Sequence, residues 1–237
     1  MLCRCALLKR KKRGEHLNPL EKSNKAYKAS KNIYDDTLTQ SKWWSRLYIR
    51  FFWSGVNDVG IARQVLNMLP DNFEGSLLDV PVGTAVFTTE KYGRMQNAKI
   101  TCLDYSQDML QQAQERFLRM GIDNVTCLQG NVECLPFENA SFDAVLSMNG
   151  FHAFPNKDKA FKETSRVLKN GGMFCGCFYI KGENRRTDLI VKQVLARKGW
   201  FAPPFYTLEE LRSELSRYYS SINVCNDAAM VYFKCLK

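Results

Sequence analysis

The alternation of short apolar runs with helical patterns from residue 58 onward most constrains what this chain can fold into. Apolar runs predict five strands, at 76–80, 99–103, 125–128, 142–148 and 173–179. Helical spacing predicts helices at 59–69, from 84 to about 94, at 106–120 and at 157–168, the last one ended by Asn170-Gly171-Gly172. Strands that alternate with helices indicate βαβ units, and therefore a parallel sheet covered by helices.

The pattern changes towards residue 237. A capping-box pattern at 207–210 predicts a short helix, and two further strands follow at 222–225 and 228–236. Only Asn226 and Asp227 separate these strands, which is too short for a crossover helix, so the pair must form an antiparallel hairpin. The predicted fold is α/β: a Rossmann-like, doubly wound, seven-stranded sheet closed by a C-terminal antiparallel hairpin.

The net charge of +10 is concentrated in the first fifty residues. Residues 1–50 contain 13 Lys and Arg against 4 Asp and Glu, a balance of +9, whereas residues 51–237 contain 21 against 20, a balance of +1. A nearly neutral body argues against a nucleic-acid groove across the fold. No apolar run reaches the ~18–20 residues that a membrane-spanning helix needs.

Composition also divides the chain. The predicted parts are a basic, flexible arm at 1–32 and a domain at 33–237, with a helical cap at 33–56 and an insertion at 181–206. Five adjacent cations at 9–13 leave a second interpretation open, in which the arm attaches to anionic lipid or nucleic acid. The aromatic segment 43–53 is interpreted as a helix packed on the domain, with a lid or a membrane-interface contact as alternatives.

The cysteines and histidines do not have the spacing of a metal site. The sequence has nine cysteines with no CxxC pair, and its two histidines, His16 and His152, are far apart. Cysteines within apolar runs are typical of a reducing cytosol, so the predicted location is cytoplasmic, with peripheral membrane contact as the alternative. The sequence does not set the oligomeric state.

The end of the first strand is where a ligand is expected, because open α/β sheets bind ligands beyond the carboxyl ends of their strands. Gly83 in the following loop lets the backbone approach a ligand closely. Pro81 cannot donate an N–H and GxGxxG is absent, which disfavours a nicotinamide-dependent oxidoreductase. Asp104 ends the second strand, 21 positions after Gly83, where it either binds ribose hydroxyls or caps the next helix.

Four motifs, over about residues 34–180, resemble class I S-adenosylmethionine-dependent methyltransferases, in the branch of the ubiquinone and menaquinone biosynthesis methyltransferases (methyltransferase type 11). LLDVPVGTA at 77–85 resembles the glycine loop of the family, usually LDVGCGTG. ITCLDYSQDMLQQAQ at 100–114, GNVECLPFENASFDAV at 130–145 and FHAFPNKDKAFKETSRVLKNGGMF at 151–174 resemble its next three blocks. The resemblance implies S-adenosyl-L-methionine as cofactor and S-adenosyl-L-homocysteine as product.

Carried over by position, the resemblance also implies which residues bind the cofactor. The methionine end of the cofactor would lie against Val80, Gly83, Thr84, Met148 and Asn149. Asp104 would hold the ribose, and Tyr34 would close over the cofactor. The adenine would be flanked by Tyr105 and Met109, and its edge would meet Asn131 and Val132. Asp79 and Pro81 complete the predicted set.

The sequence departs from the family pattern at three positions. The first and third glycines of the loop are Pro81 and Ala85, and the usual acid before the adenine pocket is Asn131, which keeps an acceptor oxygen but loses the charge. Two functions therefore stay open. The first is a methyltransferase acting on carbon or oxygen of a small, lipophilic or aromatic acceptor; the second is a non-catalytic sensor or scaffold that binds S-adenosylmethionine.

His152 is the candidate general base, because it follows the fourth strand and the ordinary pKa of histidine suits proton transfer. The alternative is a histidine that packs against or caps the next helix. Trp200, Phe201, Phe205 and Tyr206 either line an acceptor site or form core under a loop. The sequence lacks the motifs of base-modifying methyltransferases after the fourth strand, so a small-molecule partner is expected and nucleic acid is not.

Overall fold

The computed structural model describes Glu21 and residues 58–237. The helices are α1 (Asp58–Asn67), α2 (Thr89–Arg94), α3 (Gln107–Arg119), α4 (Lys157–Val167), α5 (Arg185–Ile190), a π-helical turn (Val191–Leu195), α6 (Ala196–Lys198) and α7 (Leu208–Ser216). The strands are β1 (Gly75–Asp79), β2 (Ala98–Asp104), β3 (Val125–Gln129), β4 (Phe142–Met148), β5 (Leu168–Tyr179), β6 (Ser221–Asp227) and β7 (Met230–Leu236). The predictions for the arm at 1–32, the cap at 33–56 and the aromatic segment at 43–53 lie outside the described residues, and the domain boundaries stay predictions.

The seven strands of the described residues form one sheet in the order β3-β2-β1-β4-β5-β7-β6. Strands β1 to β5 pair in parallel, and β7 runs antiparallel to both β5 and β6. Asp79, the last residue of β1, lies between Cys102 of β2 and Leu146 of β4. The strand order reverses between β1 and β4, and ligands bind at such a point. The predicted seven-stranded sheet with its C-terminal hairpin is confirmed.

Successive residues of β1 face opposite sides of the sheet, and this alternation creates two cores. Leu77 belongs to a core that includes Val65 of α1 and Phe117 of α3. Leu78 belongs to a second core, with Phe161 of α4 and residues of α7. Helices therefore cover both faces of the sheet, as the predicted doubly wound architecture requires.

The end of α4 differs from the prediction. Leu168, predicted as the last helical residue, begins β5 and pairs with Phe142 of β4. Residues 170–172 therefore lie within β5, at an irregularity of its register, and do not cap the helix. Gly171 has φ +77° and donates its N–H to the carbonyl oxygen of Lys237 at 2.9 Å. Gly171 does supply a left-handed backbone conformation, but inside a strand, where its N–H pairs with a residue far away in the sequence.

The two-residue hairpin is present, but its turn was predicted two residues too early. The last residue of β6 is Asp227, so Ala228 and Ala229 form the turn. The turn-prone Asn226 lies in the strand, and its Nδ2 donates to the carbonyl oxygen of Ala228, which has φ +44°. Tertiary contacts explain this register, because Ala229 is fully buried and its carbonyl oxygen accepts the N–H of Ile180.

The insertion predicted at 181–206 contains α5, the π-helical turn and α6, and it leads into α7. The predicted capping box is confirmed at the start of α7. Thr207 Oγ1 accepts the N–H of Glu210 at 3.2 Å, and the Glu210 carboxylate accepts the N–H of Thr207 at 2.7 Å.

Candidate cofactor and acceptor site

A cavity lies at the carboxyl ends of β1, β2 and β4, where the strand order reverses. Twelve of the thirteen predicted cofactor residues line it: Asp79, Val80, Pro81, Gly83, Thr84, Asp104, Tyr105, Met109, Asn131, Val132, Met148 and Asn149. The thirteenth, Tyr34, lies outside the described residues. The structure brings these predicted residues from four separate stretches of the sequence into one cavity, and their individual roles in cofactor binding stay predictions.

Asp104 connects the glycine loop to the end of β2. Its Oδ2 accepts the N–H of Gly83 at 2.9 Å, and its Oδ1 accepts the N–H of Ser106 at 2.8 Å. Burial raises the pKa of Asp104 to about 6, and these backbone hydrogen bonds oppose the rise. The N-cap of α3 is Ser106, whose Oγ accepts the N–H of Met109, and not Asp104. Asp104 therefore fixes the loop and still faces the cavity.

The loop at 80–85 shows how the chain accommodates its departures from the family pattern. Gly83 has φ +57°, and open space surrounds the position of a Cβ there. Ala85 has φ +58°, a conformation that costs an alanine about 1–2 kcal/mol. Its carbonyl oxygen accepts hydrogen bonds from the N–H groups of Thr88 and Thr89, which hold this conformation. The loop therefore keeps a left-handed residue where the family has its third glycine.

Asp79 is fully buried at the end of β1. Its Oδ2 accepts the hydroxyl proton of Tyr92 at 2.7 Å, whereas its Oδ1 is buried without a hydrogen-bond partner among the described residues. Loss of hydration raises the pKa of Asp79 to about 8, and the bond from Tyr92 opposes the rise. Buried polar atoms normally have a hydrogen-bond partner. A donor on a ligand in the cavity would supply that partner for Asp79 Oδ1.

Asn131 and Asn149 use some of their polar groups in hydrogen bonds within the protein. The Oδ1 of Asn131 accepts the N–H of Glu133 at 2.9 Å and so closes a short turn. Asn149, which has φ +53°, donates its N–H to the carbonyl oxygen of Cys177 at 2.8 Å. Both side chains keep further hydrogen-bonding capacity, because an amide oxygen has two lone pairs and the amide nitrogen has two protons.

Sequence reasoning missed the apolar part of the cavity. Val86, Phe87, Ala153 and Phe154 line it together with the predicted residues. Phe154 lies within a motif that carries the resemblance, so its place in the family block was an available signal. No comparable signal marks Val86 and Phe87. They lie in the helix predicted from residue 84, but the observed α2 begins only at Thr89.

His152 is not among the residues that line the cavity. It is 6% exposed, its ring stacks on that of Phe201 with 4.0 Å between centroids, and its Nδ1 accepts the N–H of Tyr179 at 3.3 Å. Burial lowers the pKa of His152 to about 3. The catalytic role stays a prediction, and the packing alternative accounts for these contacts.

The four aromatic residues at 200–206 do not line the cavity either. Phe201 is buried between His152 and Tyr179, in agreement with the core alternative. Phe205 and Tyr206 line a separate cleft together with Lys157 and Glu210.

Lys157 joins this segment to the cavity wall. Its side chain is buried, and its ammonium group donates hydrogen bonds to the carbonyl oxygens of Phe154, at 3.0 Å, and of Ala202. Burial lowers the pKa of Lys157 to about 8. One cation therefore connects a residue of the cavity wall to the insertion.

Within residues 58–237 and Glu21, no three His, Cys, Asp or Glu residues are grouped so that they could hold a metal ion. In the same part of the chain, no helix combines the length and the apolar character needed to cross a bilayer.

The strand order, the terminal antiparallel pair and the glycine loop held by an acid of the next strand agree with the α/β fold of the solved methyltransferase structures that resemble this chain. Residues 77–172 match a family model described as a methyltransferase domain. The chain carries this domain, and the resemblance predicted from its motifs is confirmed.

Individual proteins agree with this assignment. The chain is 44% identical over 126 residues to a ubiquinone/menaquinone biosynthesis C-methyltransferase of Brucella abortus, which covers 51% of this chain and 46% of the relative. The chain thus spans about half the length of the curated relatives it matches. A Haemonchus contortus phosphoethanolamine N-methyltransferase, solved with S-adenosyl-L-methionine, is similar with a TM-score of 0.64 and 17% identity, covering 75% of this chain and 52% of that one. A complex of a Haloferax volcanii methyltransferase and its Trm112 activator gives a TM-score of 0.67 and 16% identity, covering 90% and 96%.

Proposed function

We propose that this protein is an S-adenosylmethionine-dependent methyltransferase that acts on a small, lipophilic or aromatic acceptor. The observation that supports this most is one cavity in which twelve predicted cofactor residues adjoin the apolar side chains of Val86, Phe87, Ala153 and Phe154. A mostly apolar wall with a few placed polar groups suits an apolar small molecule beside a polar cofactor.

The polar groups of the cavity fit the cofactor. Asp104 offers carboxylate oxygens to the ribose hydroxyls, and Asn131 offers amide groups to the adenine edge. Asp79 offers its unpaired Oδ1 to the ammonium group of the methionine end. Each of these groups matches a different part of the cofactor, which supports this ligand over one that lacks an amino-acid end.

When it is bound, S-adenosylmethionine supplies a methyl group on a positively charged sulfur. The chain has to align the acceptor with that methyl group and exclude water, and orientation of this kind accounts for much of the barrier reduction in such displacements. Phe87 and Phe154 supply apolar surface for this purpose at the cavity wall.

A ring carbon is the acceptor atom that fits this cavity best. The titratable side chains that line it among the described residues are Asp79, Asp104 and Tyr105, and the first two face the cofactor in this proposal. An electron-rich ring carbon attacks before it loses its proton, so that step needs no general base. The Brucella relatives are named as C-methyltransferases of ubiquinone and menaquinone biosynthesis. We therefore propose C-methylation of a quinone-type aromatic acceptor, with O-methylation as the second candidate.

A non-catalytic sensor remains the alternative function, because Pro81, Ala85 and Asn131 replace the usual residues of the family. Ala85 keeps a positive φ, and Asn131 keeps free hydrogen-bonding capacity. Turnover separates the two functions: an enzyme produces S-adenosylhomocysteine with an acceptor, whereas a sensor only binds.

A lipophilic acceptor is met at a membrane surface, so we propose a cytoplasmic protein with peripheral membrane contact. The proposed contacts are the basic arm at 1–32 and the segment at 43–53. Removal of residues 1–53 is expected to abolish sedimentation with anionic vesicles.

Thermal unfolding with and without S-adenosylhomocysteine tests the cofactor assignment. Ligand at 100-fold above its Kd stabilises the fold by about 2.7 kcal/mol, which raises the melting temperature of a domain of this size by roughly 5–11 °C. NADH is the control and should give no shift. A shift with NADH alone, or with neither ligand at millimolar concentration, would overturn the assignment.

An acceptor assay then tests the chemistry. Incubation with S-adenosylmethionine and an unmethylated hydroquinone should yield a ring-methylated product, identified by mass and by the position of the new methyl signal in NMR. A catechol that accepts only on oxygen is the matched comparison. Methylation of the catechol but not of the hydroquinone would contradict the proposed carbon acceptor.

A further inference from the structure

Tyr92 has no part in the function proposed so far, although it contacts the cavity wall. It is fully buried on α2, and its hydroxyl group donates to Asp79 Oδ2 at 2.7 Å. Burial and the neighbouring acid raise the pKa of Tyr92 well above its ordinary value, so the phenol stays a donor at every working pH. A permanent donor on one oxygen restricts the rotation of the carboxyl group and fixes the place of the other oxygen.

Among residues 58–237, the charged and titratable groups that act on Asp79 are acids, thiols and a phenol, with no cation. The groups that act on its charge are the phenol of Tyr92 on α2, Asp104 and Cys102 on β2, Cys127 on β3, and Cys175 on β5. A buried carboxylate is stabilised by an opposite charge, and none of these described neighbours supplies one. Its Oδ1 also lacks a hydrogen-bond donor. A cationic hydrogen-bond donor in the cavity would supply both the opposite charge and the missing hydrogen bond.

We propose that Tyr92 is a positioning residue that holds the Asp79 carboxyl group so that Oδ1 receives the α-ammonium group of the cofactor. This inference rests on the proposed function, because it requires a cofactor with an amino-acid end. Tyr92 itself does not touch the cofactor; it acts through Asp79.

A proton balance follows from this arrangement. In the free protein, the Asp79 carboxyl group keeps its proton below about pH 8. The ammonium group binds the carboxylate, so binding below that pH transfers the carboxyl proton to solvent. Affinity therefore rises with pH, by up to about tenfold per pH unit for one proton, and levels off above about pH 8.

Two ligands distinguish the contribution of the amino-acid end to binding from the contribution of the rest of the site. S-adenosylhomocysteine carries the ammonium group, whereas 5′-methylthioadenosine keeps the adenine, the ribose and the sulfur but lacks it. Titration calorimetry of the whole chain covers about pH 6.5 to about pH 8.5. The free carboxylate beside the ligand ammonium raises its pKa above the peptide α-amino value of about 7.7–8.0, so the ammonium stays charged over most of this window. We expect the affinity for S-adenosylhomocysteine to rise with pH in this window. The affinity for 5′-methylthioadenosine should change little and reports any contribution of Asp104.

Tyr92→Phe tests the positioning role. Without its donor, Asp79 holds its proton more tightly, so at pH 7 the variant should bind S-adenosylhomocysteine about tenfold more weakly. Its rise in affinity should move to higher pH, while 5′-methylthioadenosine binds as in the wild type. Tyr219→Phe is the matched control: Tyr219 is also buried and packs on Phe174 in the other core, so both affinities should stay unchanged.

The outcomes are distinguishable. If the wild type binds neither ligand, the proposed function fails. If both ligands bind and Tyr92→Phe keeps the wild-type pH profile, or loses affinity for both ligands equally, the positioning role is wrong and the proposed function stands. If Tyr92→Phe does not fold, Tyr92→Met replaces it, because a flexible apolar side chain fills the space without supplying a donor. The inference then requires the same selective loss of S-adenosylhomocysteine affinity, and an equal loss for both ligands overturns it.

Discussion

The half of the sheet formed by β1, β2 and β3 buries carboxyl groups, whereas the half formed by β5, β6 and β7 buries aromatic rings. Asp79 and Asp104 are 0% and 8% exposed, and burial raises the pKa of both. Phe174 and Phe233 are fully buried with 4.9 Å between their ring centroids. Burial of rings stabilises a fold, and burial of acids destabilises it. The difference indicates that the aromatic half supplies stability that the cavity half gives up for binding.

The largest expected effect comes from breaking the aromatic half. Phe233→Ala removes a ring that contacts Phe174 and Phe178, and should lower the free energy of unfolding by about 3–5 kcal/mol. The stabilisation added by S-adenosylhomocysteine should stay the same, because the two sites share no partner. Urea unfolding with and without the ligand measures both quantities. A loss below about 1 kcal/mol would contradict the division of roles.

A smaller effect, of opposite sign, is expected from Asp79→Asn in the cavity half. The folded pKa of Asp79, about 8, lies above the ordinary aspartate value of about 3.9. The wild type therefore loses stability as the pH rises from about 4 to about 8, by at most ~1.4 kcal/mol per pH unit. The variant should lack this loss, so its free energy of unfolding should rise relative to that of the wild type between about pH 5 and about pH 8, to an advantage on the order of a few kcal/mol at pH 8.

The measurement is the free energy of unfolding of both proteins at intervals between about pH 5 and about pH 8, where the carboxylates with lowered pKa values, such as Asp143, stay ionised. Their difference isolates Asp79 from Asp104, which both proteins share. Parallel curves for the two proteins would show that burial does not protonate Asp79.

Gly150→Ala should cost less stability than Phe233→Ala and still weaken ligand binding. A Cβ at Gly150 would lie 2.3 Å from Pro81 Cδ and 2.8 Å from Phe154 Cζ, and both of these residues line the cavity. We expect a loss of about 1–3 kcal/mol and at least a tenfold loss of S-adenosylhomocysteine affinity by calorimetry. Gly93→Ala on α2 is the control, since its nearest contact would be Ile122 at 3.7 Å. The control should bind normally and gain about 0.5–1 kcal/mol.

The sequence predicted those features that depend on local pattern. Strand and helix order follow from apolar periodicity, and Gly83 and Asp104 were found because their motifs are continuous in the chain. Tertiary packing brings Phe154 to the cavity and Tyr92 to Asp79 in the cavity wall, so helix and strand spacing did not reveal either residue. The same cause moved the hairpin turn to Ala228, because burial of the next residue outweighed the local preference of Asn226 and Asp227.

Lys157 connects the apolar wall of the cavity to the insertion. Its ammonium group bridges the backbone of Phe154, in the cavity wall, and that of Ala202, in a segment that lines no part of the cavity. Substitutions near Ala202 can therefore reach the wall without touching an acceptor. Chimaeras that exchange the insertion between relatives should therefore exchange residues 152–157 with it, because the Lys157 ammonium group hydrogen-bonds to the backbone of both segments.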